Sequence, residues 1–402
     1  MSVTGGRDYR AIPGPSIMPD RVLRAMHRAA PNIYAGELPG MMPGLVRDLC
    51  AVARTQGKVA IYIGNGHAAW EAVLANLCTP GDTVLVPATG RFGLGWAEMA
   101  RDLGLEALVM DFGRSAPLDP TRLEERLRAD KSHKIKAVLV THVDTSSSVL
   151  NDVPAVRAAL NAVDHPALLV SDNIASLACD RFEMDDWGVD AIVAASQKGL
   201  MVPPGMSFVF VGPRAEAARR RVARVSRYWD WTPRITPDVF YQYFCGTAPT
   251  HHLYGLRAAL DMLMEEGLEN VWTRHARLAR VIWAACETWA DGGALRLNID
   301  DPTHRSTAIT ALSLPPPEGT RLRDWMEREA GVTLGIGLGM ETAEDPEASG
   351  AFRIGHMGHM NLHGVMGVLA AMEVGFQALG IAHGRGAIPA AADAWQRSLN
   401  AH

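Results

Sequence analysis

The sequence predicts an α/β protein of two domains: a large domain built on a mostly parallel seven-stranded sheet flanked by helices, and a smaller C-terminal α+β domain. Three observations predict it. From Lys58 onward, short β-rich runs alternate with longer runs whose apolar residues recur every three or four positions, the pattern of parallel strands joined by crossover helices. Seven such β-rich runs occur before residue 212, enough for one large sheet. After a continuous helical stretch from about 251 to 291 the texture changes to strand, proline-rich turn and helix, as in a separate small domain.

Taken in order, residues 1–20 are expected to form an N-terminal arm, extended and turning at Ile12-Pro-Gly-Pro-Ser16, with Met18-Pro-Asp20 setting up the first helix. The large domain is expected to span 21–270. Its strands are predicted at 58–63, 83–87, 106–110, 136–141, 167–171, 190–195 and 207–211, and its helices at 67–78, 94–103, 119–129, 153–163, 213–226 and 251–266. The small domain, 271–402, is predicted to hold a strand at 306–313, the turn Leu314-Pro-Pro-Pro-Glu318, a helix near 320–330 and a final helix near 361–380.

Composition narrows the function classes. The chain has 402 residues, 48% hydrophobic and 21% charged, with a formal net charge of −5, which argues against an electrostatic nucleic-acid footprint. Arg219-Arg220-Arg221 is more simply a solvated helix face. Five scattered cysteines, Cys50, Cys78, Cys179, Cys245 and Cys286, form no C-x-x-C pair and point to reduced thiols in a cytoplasmic setting. The stretch Val365 to Ala382 is interrupted by Glu373 and Gln377 and has helical periodicity, so it reads as an amphipathic core helix. The first eight residues hold no apolar signal region.

Lys198 carries the most chemical information. It is one of only five lysines, and it lies in Ser196-Gln197-Lys198-Gly199 directly after the apolar run Asp190-Ala-Ile-Val-Ala-Ala195. A second apolar run, Ala167 to Val170, ends in Ser171-Asp172. Two buried strands thus deliver an amine and an acid to one sheet edge. Pyridoxal phosphate needs that pair: the amine forms a Schiff base with the aldehyde, and the carboxylate keeps the pyridine nitrogen protonated so that the ring accepts electrons. The alternative for Lys198 is a strand-end lysine that reaches solvent on its flexible stem.

Other positions carry weaker signals. Gly64-Asn65-Gly66-His67 follows the first strand and opens a helix, so it is either a phosphate cradle or a structural glycine turn. A dinucleotide fingerprint would need an acid at the end of the next strand, and Val84-Leu-Val-Pro-Ala-Thr-Gly90 has none. Phe92 in Arg91-Phe92-Gly93 is placed to lie on a heterocycle or to pack in the core. Thr141-His142-Val143-Asp144-Thr145-Ser146 puts hydroxyls at the same edge. Arg353, between Phe352 and Ile354, suits either a substrate carboxylate or an interdomain salt bridge. His356, His359 and His363 have metal-like spacing, but Gly355 and Gly358 break a helix there and no cysteine or carboxylate cluster accompanies them, so no metal is expected.

Together these motifs resemble the class V aminotransferases of pyridoxal phosphate fold type I, and within them the alanine:glyoxylate and serine:glyoxylate aminotransferase group. The resemblance runs from Pro13-Gly-Pro-Ser16 through Gly64-Asn-Gly-His67, Thr141 to Ser146, Ser171-Asp-Asn-Ile-Ala-Ser176, Ser196-Gln-Lys-Gly-Leu200, Pro203-Pro-Gly205 and Thr247-Ala-Pro249 to Phe352-Arg-Ile-Gly-His-Met-Gly358. It implies pyridoxal 5'-phosphate as cofactor, Lys198 as the Schiff-base lysine and Asp172 as partner of the pyridine nitrogen. It also implies that Asn65, Gly66, His67 and Gln197 hold the phosphate, joined by Thr247 from the other subunit of a homodimer. By the same resemblance Phe92 stacks on the ring, Ile174 packs beneath it, Thr145 bonds near its hydroxyl, and Arg353 clamps the substrate carboxylate with Tyr34 near the side chain. Two departures stand out: Phe244 replaces a tyrosine that often reaches the partner's phosphate, and Asn65 replaces a common serine.

The implied reaction is a ping-pong transamination of a serine-, alanine- or aspartate-type donor with glyoxylate or pyruvate as acceptor. Pyridoxamine:pyruvate aminotransferase is the nearest rival, but Leu338 stands where that enzyme has an extra arginine. Another fold type I lyase is a more distant one. Cysteine desulfurases need a nucleophilic cysteine in the second domain, and the last cysteine here is Cys286. A regulator on the same fold would need an appended DNA-binding domain or a lost lysine.

Overall fold

The computed structural model describes residues 5–400, so the first four residues of the expected arm lie outside the described residues. The chain forms twelve described strands: β1 (Tyr9–Ala11), β2 (Lys58–Gly64), β3 (Thr83–Ala88), β4 (Glu106–Asp111), β5 (Ile135–Thr141), β6 (Leu168–Asp172), β7 (Ala191–Ala195), β8 (Gly205–Val211), β9 (Arg296–Leu297), β10 (Ile309–Ser313), β11 (Val332–Ile336) and β12 (Ala351–Gly355). The large sheet has the order β2-β8-β7-β6-β5-β3-β4. Pairs β3/β4, β3/β5, β5/β6 and β6/β7 are parallel, and β8 alone runs against its neighbours β7 and β2.

Parallel strands joined by helical crossovers are covered on both faces, and the burial follows from that. Every residue of β3, β6 and β7 is buried. Alternate side chains enter two different cores: Ile61, Leu85, Val138, Leu169 and Ile192 on one face, Tyr62, Val86, Leu139, Val170 and Val193 on the other. The outer strand β4 is only half covered, as an edge strand is. All the parallel strands point the same way, so the segments after β2, β3, β5, β6 and β7 meet at one end of the sheet. That end is where open α/β sheets bind ligands.

The second sheet has the order β1-β11-β12-β10-β9. Its strand β1 comes from the N-terminal arm and runs parallel to β11, with Tyr9 paired to Val332. Helices Leu268–Ala290, Leu362–Leu379 and Ala387–Leu399 pack against it. Helix Leu362–Leu379 is long and apolar enough to cross a membrane by length and composition, yet its Val365, Leu369, Met372 and Phe376 line this core.

Several elements differ from the sequence reading. The helix Glu37–Val52 is not foreseen, because Pro39, Gly40, Pro43 and Gly44 lower its propensity; burial of Leu38, Met42, Leu45 and Leu49 overrides them. The helix expected at 213–226 ends at Arg219. The helix expected at 251–266 is found as Thr250–Glu266, but the helical stretch from about 251 to 291 is interrupted at Gly267, whose φ of +81° lets a second helix start at Leu268. The strand expected at 306–313 begins at Ile309, because Ser306 and Thr307 turn to hydrogen-bond Asp180. The helix ending at Leu379 is followed by one more, Ala387–Leu399.

Candidate active site

Lys198 sits in the loop after β7. The loop folds back on β8: Ser196 Oγ donates to the Pro203 carbonyl at 2.7 Å and accepts the Met206 N–H at 3.3 Å. The arm closes over it from the other side. Ser16 Oγ donates to the Lys198 carbonyl at 2.7 Å, the Ser16 N–H donates to the Gln197 carbonyl at 2.9 Å, and Lys198 Nζ donates to the carbonyl of Pro13. Only glycine fits at position 14, where φ is +95° and a Cβ would lie 2.6 Å from Lys198 Nζ. Lys198 is therefore buried and does not run out to solvent. Burial first, then the Arg353 charge, lowers its ammonium to about 8, with Asp172 opposing.

Asp172 closes β6 on the strand next to β7, in register with Val193. Its Oδ1 accepts the Ile174 N–H at 2.8 Å and its Oδ2 accepts the Trp70 indole N–H at 3.0 Å. Burial raises the carboxyl to about 7, against the pull of those two donors and of Lys198.

The turn after β2 opens the helix Gly66–Leu77. Asn65 caps it, its Oδ1 accepting the His67 N–H at 3.1 Å. Gly66 lets Ile174 approach, since a Cβ there would lie 2.4 Å from Ile174 Cδ1. Phe92 lies in the first turn of helix Arg91–Asp102, whose capping position is Gly90, with no side chain to offer. Asp144 supplies the cap from the loop after β5: Oδ2 accepts the Phe92 N–H at 2.9 Å and the Gly93 N–H at 3.1 Å, while Oδ1 accepts the Ser146 N–H at 2.9 Å. The Phe92 ring meets Trp70 edge-on, with centroids 6.2 Å apart. His67, Trp70, Phe92 and Gly339 line a cleft of about 350 Å³. A larger groove of about 860 Å³, between Trp187 and Trp272, contains none of these groups.

Arg353 on β12 is 5% exposed. Its Nε donates to the Ile336 carbonyl and its Nη1 to the Thr145 carbonyl, both at 2.8 Å. Among the described residues no carboxylate forms an ion pair with it, so the interdomain salt bridge is not formed. Two backbone carbonyls aim the guanidinium and leave Nη2 for an anion. Burial lowers it to about 10.

The remaining expected residues divide into Gln197 and Thr145, which adjoin Lys198 and Arg353, and Tyr34 and Thr247, which do not line the cleft. The Gln197 Oε1 is buried without a partner. Thr145 is buried, contributing the carbonyl that holds Arg353. Tyr34 is 90% exposed and Thr247 is also exposed; neither lines the cleft. Phe244 is buried against Phe240 and Tyr243. His356 is buried and meets Thr310 Oγ1 at 3.0 Å, whereas His359 and His363 are exposed, so the three imidazoles do not converge. Among the described residues no group of three or more His, Cys, Asp or Glu is disposed to hold a metal.

Sequence reasoning missed Trp70 and the capping role of Asp144. Both had a signal. Trp70 is four residues after Gly66, hence on the same helix face, and Gly90 before a helix start leaves a cap to be supplied from elsewhere.

An amine, a buried carboxyl, an aromatic ring, a helix N-terminus and an unneutralised guanidinium at one sheet end fit a pyridoxal phosphate and an amino acid. The comparisons with known proteins agree. The family model described as aminotransferase class V matches residues 46–343. The serine–glyoxylate aminotransferase of Methylorubrum extorquens is 35% identical over 400 residues, 98% of this chain and 96% of that protein. The structure of ureidoglycine-glyoxylate aminotransferase from Bacillus subtilis superposes with a TM-score of 0.87 at 25% identity, covering 98% of this chain and 100% of that one. Pyridoxamine-pyruvate aminotransferase from Mesorhizobium loti superposes with a TM-score of 0.84 at 25% identity, covering all of both chains. The chain belongs to the class V aminotransferases, pyridoxal-phosphate-dependent enzymes of fold type I.

Proposed function

We propose that the enzyme moves the amino group of a small amino acid, of the serine, alanine or aspartate type, to glyoxylate or pyruvate, with Lys198, Asp172 and Arg353 as its working groups. The observation that carries this reading is that all three are buried and come together at one end of the sheet while Arg353 keeps a nitrogen free for a carboxylate. The Methylorubrum extorquens relative, named for serine and glyoxylate, supports the substrate class.

Bound pyridoxal phosphate supplies an electron sink for the charge that develops at the substrate Cα. The residues do the rest. Asp172 would keep the ring nitrogen protonated, Phe92 and Ile174 would pack against the ring, and Thr145 would lie near its hydroxyl. Asn65, Gly66, His67 and Gln197 receive the phosphate at the helix N-terminus. Lys198 would hold the cofactor as its Schiff-base amine, and once a substrate amine had taken that place its Nζ would be the group that takes the proton from the substrate Cα and returns it. Its lowered pKa leaves a useful share of neutral amine near pH 8.

The test is a panel of donors, serine, alanine, aspartate and pyridoxamine, each paired with glyoxylate and with pyruvate, on wild type and on Arg353→Gln. Charge-assisted hydrogen bonds are worth about 1.5–3 kcal/mol, so Arg353→Gln is expected to raise KM for every α-carboxylate substrate by roughly 10- to 100-fold. Unchanged KM values would remove Arg353 from the site. Turnover with pyridoxamine and none with the amino acids would move the function to the pyridoxamine rival.

We further propose a homodimer in which Thr247 completes the phosphate site of the partner. Thr247 and Tyr34 are exposed, as are the apolar neighbours Val239 and Tyr241, so this surface calls for a cover. Sedimentation equilibrium should give twice the mass of the 43.4 kDa chain, and Thr247→Ala should weaken pyridoxal phosphate binding several-fold. A monomer with full cofactor affinity contradicts the dimer.

A further inference from the structure

The structure assigns Trp70 as the positioning residue of Asp172: its indole N–H fixes the carboxylate in the orientation and ionised form that a protonated ring nitrogen requires. The assignment rests on the reading of Asp172 as the partner of that nitrogen. Asp172 has no ion pair among the described residues, so hydrogen bonds must hold its charge in a buried site. One donor, the Ile174 amide, comes with the turn after β6. The other is a side chain, the Trp70 indole at 3.0 Å. Each takes a different carboxylate oxygen, which sets the plane of the group and leaves a lone pair on each oxygen for the ring N–H. The charged groups facing Asp172 are Asp144, which disfavours its ionised form, and Lys198, which favours it.

Trp70 is itself held still. It is 1% exposed, stacked on Trp96 with centroids 5.7 Å apart and planes 15° apart, and packed against His67 at 4.6 Å. Trp96 provides a contrast within the same stack, because its indole N–H is buried without a partner. Packing alone would treat the two rings alike; only Trp70 is aimed at a carboxylate.

The test titrates cofactor-stripped full-length protein with pyridoxal phosphate and reads the dissociation constant by fluorescence. Loss of a hydrogen bond to a charged group predicts that Trp70→Phe weakens binding by on the order of tenfold or more. In an Asp172→Asn background the same change is expected to cost less than about twofold, because the charge it serves is gone. Trp96→Phe is the packing control and is expected to leave the constant within about twofold of wild type. If Trp70→Phe does not fold, the benzothiophene analogue of tryptophan at position 70 keeps the shape and removes only the N–H. An equal Trp70→Phe effect in both backgrounds, or an equal effect of Trp96→Phe, overturns the assignment to Trp70. Wild-type affinity in Asp172→Asn alone overturns the role of Asp172, a result distinguishable from the others.

Discussion

Lys198→Ala is expected to lower turnover by on the order of 10⁴-fold or more, because in the proposed mechanism one amine serves as covalent anchor and as the group that moves the Cα proton. The other four lysines lie elsewhere in the chain, and the acid at the site, Asp172, faces the ring nitrogen in the proposed arrangement. The protein should still fold, since Nζ makes one hydrogen bond, to the Pro13 carbonyl, and the loop around it is held by Ser196 and Ser16. Borohydride treatment of the loaded wild type should trap the cofactor on the peptide containing Lys198, and the variant should show no such adduct. Trapping on another residue, or turnover within tenfold of wild type, would displace Lys198 from the mechanism.

Asp172→Asn is expected to reduce turnover by about 10²- to 10³-fold, in line with the roughly 3–5 kcal/mol cost of leaving one member of a buried charge pair alone. A second consequence concerns pH. In the cofactor-free protein the carboxyl is raised from 3.8 to about 7, so between those values the folded state keeps a proton that the unfolded state has released. Its contribution to stability is therefore complete below pH 4 and is lost as pH rises through 7, with a slope of about 1.4 kcal/mol per pH unit. Asp172→Asn removes that slope, and denaturant titrations of both cofactor-free proteins between pH 4 and 8 would show it. Parallel pH profiles would mean that Asp172 is ionised throughout.

The large sheet was legible because strands covered on both faces read as continuous apolar runs, and all seven predicted strands agree with the observed ones to within two residues at either end. Lys198 and Asp172 were legible for the same reason: a polar residue that ends such a run must sit at the sheet edge. What escaped depends on tertiary partners. The helix Glu37–Val52 forms against its own propensities because Leu38, Met42, Leu45, Leu49, Cys50 and Val52 find a core. The pairing of β1 with β11 has no local signature, since each is a short run that is a strand only beside the other. Trp70 packs into the core from its helix, and its indole points at Asp172 only because β6 passes that face. Asp144 lay in plain view in a polar loop, but the helix it caps starts more than fifty residues earlier.

The arm also sets an order of assembly. Tyr9 pairs with Val332, and the same short segment then delivers Pro13, Gly14 and Ser16 to Lys198. During synthesis the arm is made long before its strand partner, so the large sheet can form before the roof over the lysine is seated. Closure of the arm over Lys198 is thus expected late in biosynthesis, since it needs the small sheet as well as the large one.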